Sequence, residues 1–462
     1  MYQEPVPAQG KQPTPRGLGP FDLIGLGVGA IIGAGIFVLT GQVAARSAGP
    51  AVVVSFALAA VACAFAGLCY AEMAAAVTDA GSAYKYAEKS MGRFVGWIIG
   101  WDLVLEYALG ACTVAIGWAG YAVSVLRDVG IALPAWTTTP INWPAVAVVA
   151  AVTTLLLFEV KLAARVNTFI VVVKLAVVAI FIIAGIGHVS TSHWGGHFIP
   201  PNQGQFGQFG LSGVFQGAGV VFFAFIGFDV VSGAAKDAAN PQRDMPIGIL
   251  GSLAICTVLY MVVSFVLTGV VDYQKLNVAE PIALGIDAIG LSWLAPIIKL
   301  GILCGLTTVI LSLMYGQPRI LYSMANDGLL PPALGRVNPG TGSPRTATLI
   351  TGLCVAAAAG LLPMGVAGEL VSIGTLLAFA IVSAGVLVLR VTRPDLPRPF
   401  RAPWIAVTAP LVVVTSLALM AGLPRGTWIR LFSWLAIGLA IFVRQGRRRG
   451  TARPAAKPLE PA

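Results

Sequence analysis

Apolar runs, most of them about twenty residues long, fill this 462-residue chain almost end to end. They lie near 21–45, 51–77, 94–126, 142–160, 166–187, 209–233, 246–271, 293–324, 346–362, 369–390, 403–422 and 428–445. That length matches what a helix needs to cross a bilayer, where each backbone polar group must find its partner within the protein. No segment alternates with the period of two that a barrel strand requires. Charged residues make up only 10% of the chain, against about 25% in soluble domains. The fold class expected is therefore an all-α polytopic membrane protein with twelve transmembrane helices.

The basic residues orient it. Lys85, Lys89, Arg93, Lys161, Arg165, Lys236, Arg243, Arg319, Arg336, Arg345, Arg390, Arg393, Arg398 and Arg401 all fall on connectors or run ends that share one side with the two ends of the chain. Arg46, Arg127, Lys275, Arg425 and Arg430 fall on the other side. Cationic loops stay in the cytoplasm, so both termini are expected inside the inner (plasma) membrane. The net charge of +10 then answers the anionic inner leaflet, and no nucleic acid partner is expected. The polar segment 1–20 carries no cleavable signal pattern. Cys63, Cys69, Cys112, Cys256, Cys304 and Cys354 all sit in apolar runs without paired spacing. They read as small buried hydrophobes, not as disulfides or metal ligands. No metal and no cofactor is expected.

Two spans look unlike plain lipid-crossing helices. The first contains Gly25, Gly27, Gly29, Gly33 and Gly35, and each glycine loosens a helix. If Gly33-Ala34-Gly35 leaves helical geometry, its freed backbone groups need a polar cavity. A half-helix starting near Ile36 would then aim its positive end at an anion such as an amino acid carboxylate. The same glycines also suit close helix packing. The sixth span, Phe222-Phe223-Ala224-Phe225-Ile226-Gly227-Phe228-Asp229, again combines glycine with an acid. Broken helices at matching places in two halves point to inverted repeats. The repeats expected are 21–190 and 209–390, with 403–445 appended as spans eleven and twelve and 446–462 as a cytoplasmic tail.

Gly29-Ala30-Ile31-Ile32-Gly33-Ala34-Gly35-Ile36-Phe37 resembles the first-span signature of the amino acid–polyamine–organocation (APC) transporters. Tyr70-Ala71-Glu72, Gly81-Ser82-Ala83-Tyr84, Asn240-Pro241-Gln242-Arg243-Asp244, Gly316-Gln317-Pro318-Arg319 and Met324-Ala325-Asn326-Asp327-Gly328 are similar to bacterial relatives of the cationic amino acid transporter branch. The resemblance spans the first ten helices. It implies the five-plus-five inverted-repeat fold of the leucine-transporter type, with spans one and six broken, and alternating access.

Candidate site residues follow. Lys174 stands alone among valines. It either snorkels toward the cytoplasmic interface or points inward as a proton carrier. The resemblance implies the second, with the protonated amine on carbonyls of the opened first span. Glu106 lies one turn beyond Asp102. It is read as a substrate-amine ligand by resemblance, or as a helix brace; Asp102 is read as structural. Carbonyls freed near Phe223, Ala224 and Ile226 face the substrate ammonium, and Phe223 closes over it. Ile31, Gly33, Ala34 and Gly35 take the carboxylate. Thr308, Ser312 and Met314 are expected to line the cavity, the hydroxyls with the alternative of bonding their own helix. Asp229 is read as a cap, Lys299 as a snorkelling cation, and His188, His193 and His197 as loop residues.

The function expected is a secondary active transporter, not an enzyme, taking up L-amino acids with protons. Small or neutral side chains fit these residues better than cationic ones. The alternative is an amino acid/polyamine exchanger without proton coupling. The partners expected are the amino acid, protons and the bilayer, with a small membrane subunit left open.

Overall fold

The computed structural model describes residues 17–77, 82–158, 164–233, 238–338 and 344–450. The segment before residue 17, Gly81, Lys161, Lys236 and the tail beyond 450 lie outside the described residues. Among the described residues the regular structure is helical, apart from one isolated bridge between Leu18 and Ala238. Seven stretches are long and apolar enough to cross a membrane by length and composition: Gly35–Ala76, Arg93–Asp128, Thr168–Ile186, Pro241–Val270, Ala295–Asn326, Met364–Thr392 and Arg425–Gln445. Shorter apolar helices lie between them.

α1 (Pro20–Ile31) starts at a proline, and the Gly19 N–H donates to the Asp22 carboxylate at 2.9 Å. Both choices suit a helix N-terminus. The chain leaves the helix at Ile32, whose ψ is 104°. It resumes as α2 (35–48), which is π-helical over Gly35–Leu39 and Ala44–Ala48. Gly49, at φ +59°, then turns the chain, and a Cβ there would come within 2.5 Å of Pro200. α3 (Val52–Ala76), α4 (Ser82–Met91), α5 (Arg93–Asp128), α6 (Trp143–Leu157) and α7 (Ala164–Ile186) follow.

α8 (Gly210–Val221) and α9 (Phe228–Gly233) flank a second interruption. Between them come a 3-10 turn at Phe222–Phe225, extended Ile226 (ψ 135°) and Gly227 at φ +120°. The chain continues through α10 (Pro241–Val270), α11 (Pro281–Ala288), α12 (Ala295–Asn326), α13 (Arg345–Leu361), α14 (Met364–Thr392), α15 (Ile405–Ala421) and α16 (Arg425–Gly450). The interruptions therefore fall where expected, with the first one displaced to Ile32-Gly33 and the second half starting at Gly35.

α5, the longest helix at 36 residues, packs on α12 and α14, while α10 packs on α1 and α3. α16 joins α5 through stacked Trp101 and Trp434, centroids 4.5 Å apart, each indole N–H donating to the other's carbonyl. Buried Glu72 accepts two bonds from Arg390 (2.9 and 2.7 Å) and one from the Ala402 N–H (2.8 Å). One carboxylate thus fastens α3 to α14 and to the start of α15. Asp327, just past α12, accepts from the Tyr84 hydroxyl and the Lys85 ammonium, both at 2.7 Å, and so holds α4. Burial disfavours the charge on Lys85, but its hydrogen bonds to Asp327 and Glu88 raise its pKa above the ordinary value.

Two expectations are corrected. Cys304 and Cys354 are exposed on the outer surface of the bundle, where lipid is as apolar as a core and tolerates them. Lys299 does not snorkel. α5 and α12 are neighbours, and its ammonium lies 2.6 Å from Asp128 at the end of α5.

Candidate functional site

The two interruptions lean on each other. A Cβ on Gly35 would sit 2.3 Å from the Ala224 Cα, and one on Gly227 would sit 2.8 Å from the Ala30 carbonyl carbon. Both clashes are with backbone that cannot yield. The glycines thus serve close packing and an opened helix together, at one place. Beside this crossing lies a small cavity of about 30 Å³, partly open to the exterior. The first interruption contributes Ala30, Ile31, Gly33, Ala34 and Gly35; the second contributes Phe223, Ile226 and Gly227. α5 adds Gly110 and Val114, and α12 adds Val309, Ser312 and Leu313. None of these side chains is charged. The electrostatics come from backbone: α2 begins here, and the first turn of a helix has N–H groups without intrahelical acceptors and a partial positive charge.

The opposite end, the carbonyl terminus of α1, is occupied by side chains. Lys174, on α7 and 1% exposed, donates to the Gly29 carbonyl at 2.6 Å and to the Ile32 carbonyl at 3.1 Å. An ammonium at a helix C-terminus complements both the orphan acceptors and the dipole. Room for the lysine comes from Gly305 on α12, where a Cβ would lie 2.9 Å from the Lys174 Cγ. The Ile31 carbonyl faces the Tyr260 hydroxyl of α10 at 2.8 Å, and the same hydroxyl is 2.9 Å from the Ala224 carbonyl. A phenol has one proton to donate, so it serves one of these carbonyls at a time.

The remaining expected residues distribute as follows. The Phe223 carbonyl accepts from the Ile226 N–H at 3.2 Å and the Ala224 carbonyl faces Tyr260, so two of the three carbonyls expected to be free are engaged. The Phe223 ring and Ile226 do line the cavity; Ala224 does not. Glu106 is buried one turn before Gly110, off the cavity wall, with Thr375 of α14 as its hydrogen-bond partner and Asp229 and Asp102 as charged neighbours. Both Asp102 oxygens are buried without a partner. Asp229 accepts from the Gly227 N–H at 3.2 Å, a cap as expected. Ser312 lines the cavity, with its hydroxyl on the Thr308 carbonyl; Thr308 bonds to Gly305, and Met314 is fully buried, both away from the lining. Among the described residues no group of three His, Cys, Asp or Glu could hold a metal. Tyr260, Ala30, Gly110, Val114, Gly227, Val309 and Leu313 are the site residues that sequence reasoning missed. A lone tyrosine in the seventh apolar run and a glycine one turn after Glu106 were the only signals for those outside the two interruptions.

A family model of amino acid permeases matches residues 18–442. The chain belongs to that family. It is accordingly an APC-superfamily transporter embedded in the membrane, not an enzyme. It is similar to the branched-chain amino acid permease BcaP of Bacillus subtilis (strain 168), at 43% identity over 95% of each chain. It is 40% identical to the methylthioribose transporter of the same organism, over 96% of each. The vacuolar cationic amino acid transporter 4 of Arabidopsis thaliana is 38% identical over 82% of this chain and 64% of that one.

Proposed function

We propose that this permease takes up L-amino acids with neutral, apolar side chains, driven by protons, through alternating access at the crossing of its two interrupted helices. The observation that carries the reading is the cavity wall: opened backbone on two sides, and no charged side chain among the residues that line it. The α-carboxylate goes to the N–H groups of Gly33, Ala34 and Gly35 at the start of α2. The ammonium goes to the Ile226 carbonyl and to whichever of the Ile31 and Ala224 carbonyls the single Tyr260 proton leaves unserved. The side chain meets Gly110, Val114, Val309 and Leu313. A guanidinium there would lose its hydration without gaining a carboxylate, a cost of several kcal/mol. Of the relatives named above, the branched-chain permease handles the side chains that suit such a wall.

The helix order supports twelve spans when the two interrupted helices each count as one crossing and the stretch Gly35–Ala76 divides at Gly49; both ends then share one side, which the basic connectors assign to the inside. Residues 21–190 and 209–390 then form the two inverted repeats, each opening on an interrupted helix. Lys174 carries the proton in this reading. Protonated, it holds the end of α1 by two carbonyls; deprotonated, it releases them and α1 can move. A thermal-shift screen of the purified protein against all twenty amino acids tests the substrate class. Leucine, isoleucine and valine are expected to stabilise it by several degrees at concentrations where arginine and lysine do not. Stabilisation by arginine alone would overturn the assignment.

A further inference from the structure

On α12, five residues fall at successive offsets of four, three, four and three, and so form one stripe along the helix. Gly305 faces Lys174, Val309 faces Gly33, Ser312 lines the cavity, and Gly316 lies against the Tyr107 ring. Arg319 is fifth. The stripe is buried at Gly305 and Val309, half-buried at Gly316 and exposed at Ser312 and Arg319, so its accessible part runs from the cavity wall at Ser312 to Arg319. Seven residues of helix place Arg319 about 10 Å beyond Ser312.

Two other guanidiniums near the same end of the bundle are engaged. Arg390 and Arg398 are occupied by Glu72 and by backbone carbonyls. Among the described residues Arg319 forms no ion pair and no hydrogen bond; its Cζ rests 3.5 Å from the ring centroid of Tyr315, which is 48% exposed. Stacking on a ring face leaves the planar fork of N–H donors free at its edge. An exposed cation–π contact is weak and readily exchanged for a bidentate carboxylate. The cavity wall has no charge, so Arg319 is the first cation along α12 that a leaving zwitterion meets.

We propose that Arg319, parked on Tyr315, is a release-side subsite for the α-carboxylate of the transported amino acid. It receives that carboxylate after the N–H groups of Gly33–Gly35 let it go. The inference rests on the transport reading above and adds a second binding position to it. The test uses full-length protein in oriented proteoliposomes, with radiolabelled L-leucine exchange measured separately from each face and equilibrium binding measured in detergent. Arg319→Gln should raise the half-saturating leucine concentration at the inner face about five- to tenfold, as loss of one exposed charge-assisted contact would. The outer-face value and the equilibrium affinity should stay within about twofold. Arg319→Lys should recover part of the loss, and Tyr315→Leu should shift the inner face alone. Unchanged kinetics at both faces in Arg319→Gln would overturn the subsite and leave the transport reading intact. An equal rise at both faces with a lowered melting temperature would assign the arginine to bracing and overturn it as well. Failure of the wild type to exchange leucine or any other neutral amino acid removes the transport reading, and the subsite falls with it.

Discussion

At the scale of single residues, the site depends on which groups satisfy peptide backbone that two helices have given up. Lys174 and Tyr260 reach the end of α1 from different helices and between them engage the Gly29, Ile31 and Ile32 carbonyls. The tyrosine hydroxyl also lies 2.9 Å from the Ala224 carbonyl, so the side chain is within reach of both interruptions. Its aromatic ring is held by Phe56 and Phe225, with centroids 5.5 and 5.4 Å away. Removing only the hydroxyl therefore leaves the packing in place. It strips a buried carbonyl of its donor, at a cost of about 1–3 kcal/mol. Tyr260→Phe is expected to fold, to lower the melting temperature by only a few degrees, and to reduce substrate affinity about tenfold. Isothermal titration with L-leucine checks it; unaltered affinity would mean that the hydroxyl has no part in shaping the site.

At the scale of elements, three glycines of the first span make separable predictions. A Cβ at Gly25 meets nothing within 4 Å, so Gly25→Ala gains helix propensity and stabilises by up to about 1 kcal/mol. At Gly33 the nearest atom is the Val309 Cγ2 at 3.4 Å, an ordinary contact at the cavity wall. Gly33→Ala should fold normally and bind substrate more weakly. At Gly35 the Cβ meets Ala224 backbone at 2.3 Å, and Gly35→Ala should force the interruptions apart and abolish binding. Melting curves and binding on the three variants give the order, and equal effects would refute it. This also shows what could be read in advance. Glycine in a lipid-crossing helix is locally unfavourable, which is why both spans stood out in the sequence, with an opened helix and close packing as equal readings. Which glycine faces open space and which faces Ala224 depends on contacts nearly two hundred positions apart, which no local pattern encodes. Tyr260 escaped notice for the same reason: a tyrosine in an apolar run looks alike whether it faces lipid or a stripped carbonyl. The carbonyl expected free at Phe223 is taken by the 3-10 turn, and the one at Ala224 shares a distant hydroxyl with Ile31.

At the scale of the whole molecule, the question is which charge can change during a transport cycle. Ion pairs fasten the bundle toward both ends: Glu72 with Arg390 and Asp327 with Lys85 at one, Asp128 with Lys299 at the other. Each of those lysines and arginines has a carboxylate within reach. Among the described residues Lys174 has none; its ammonium is held by the Gly29 and Ile32 carbonyls, in a buried position. An uncompensated buried ammonium is the charge a protein gives up most easily, and giving it up here severs α7 from the end of α1. The driving force for uptake should therefore be the proton gradient. In proteoliposomes, leucine accumulation is expected to require an inward gradient and to collapse when a protonophore dissipates it. Lys174→Ala removes the titrating group, so it should abolish accumulation at any gradient while leucine binding, set mainly by α2 and the α5–α12 wall, stays measurable. Accumulation by Lys174→Ala equal to that of the wild type would exclude this lysine as the proton carrier. Wild-type accumulation indifferent to the gradient would instead point to obligate exchange.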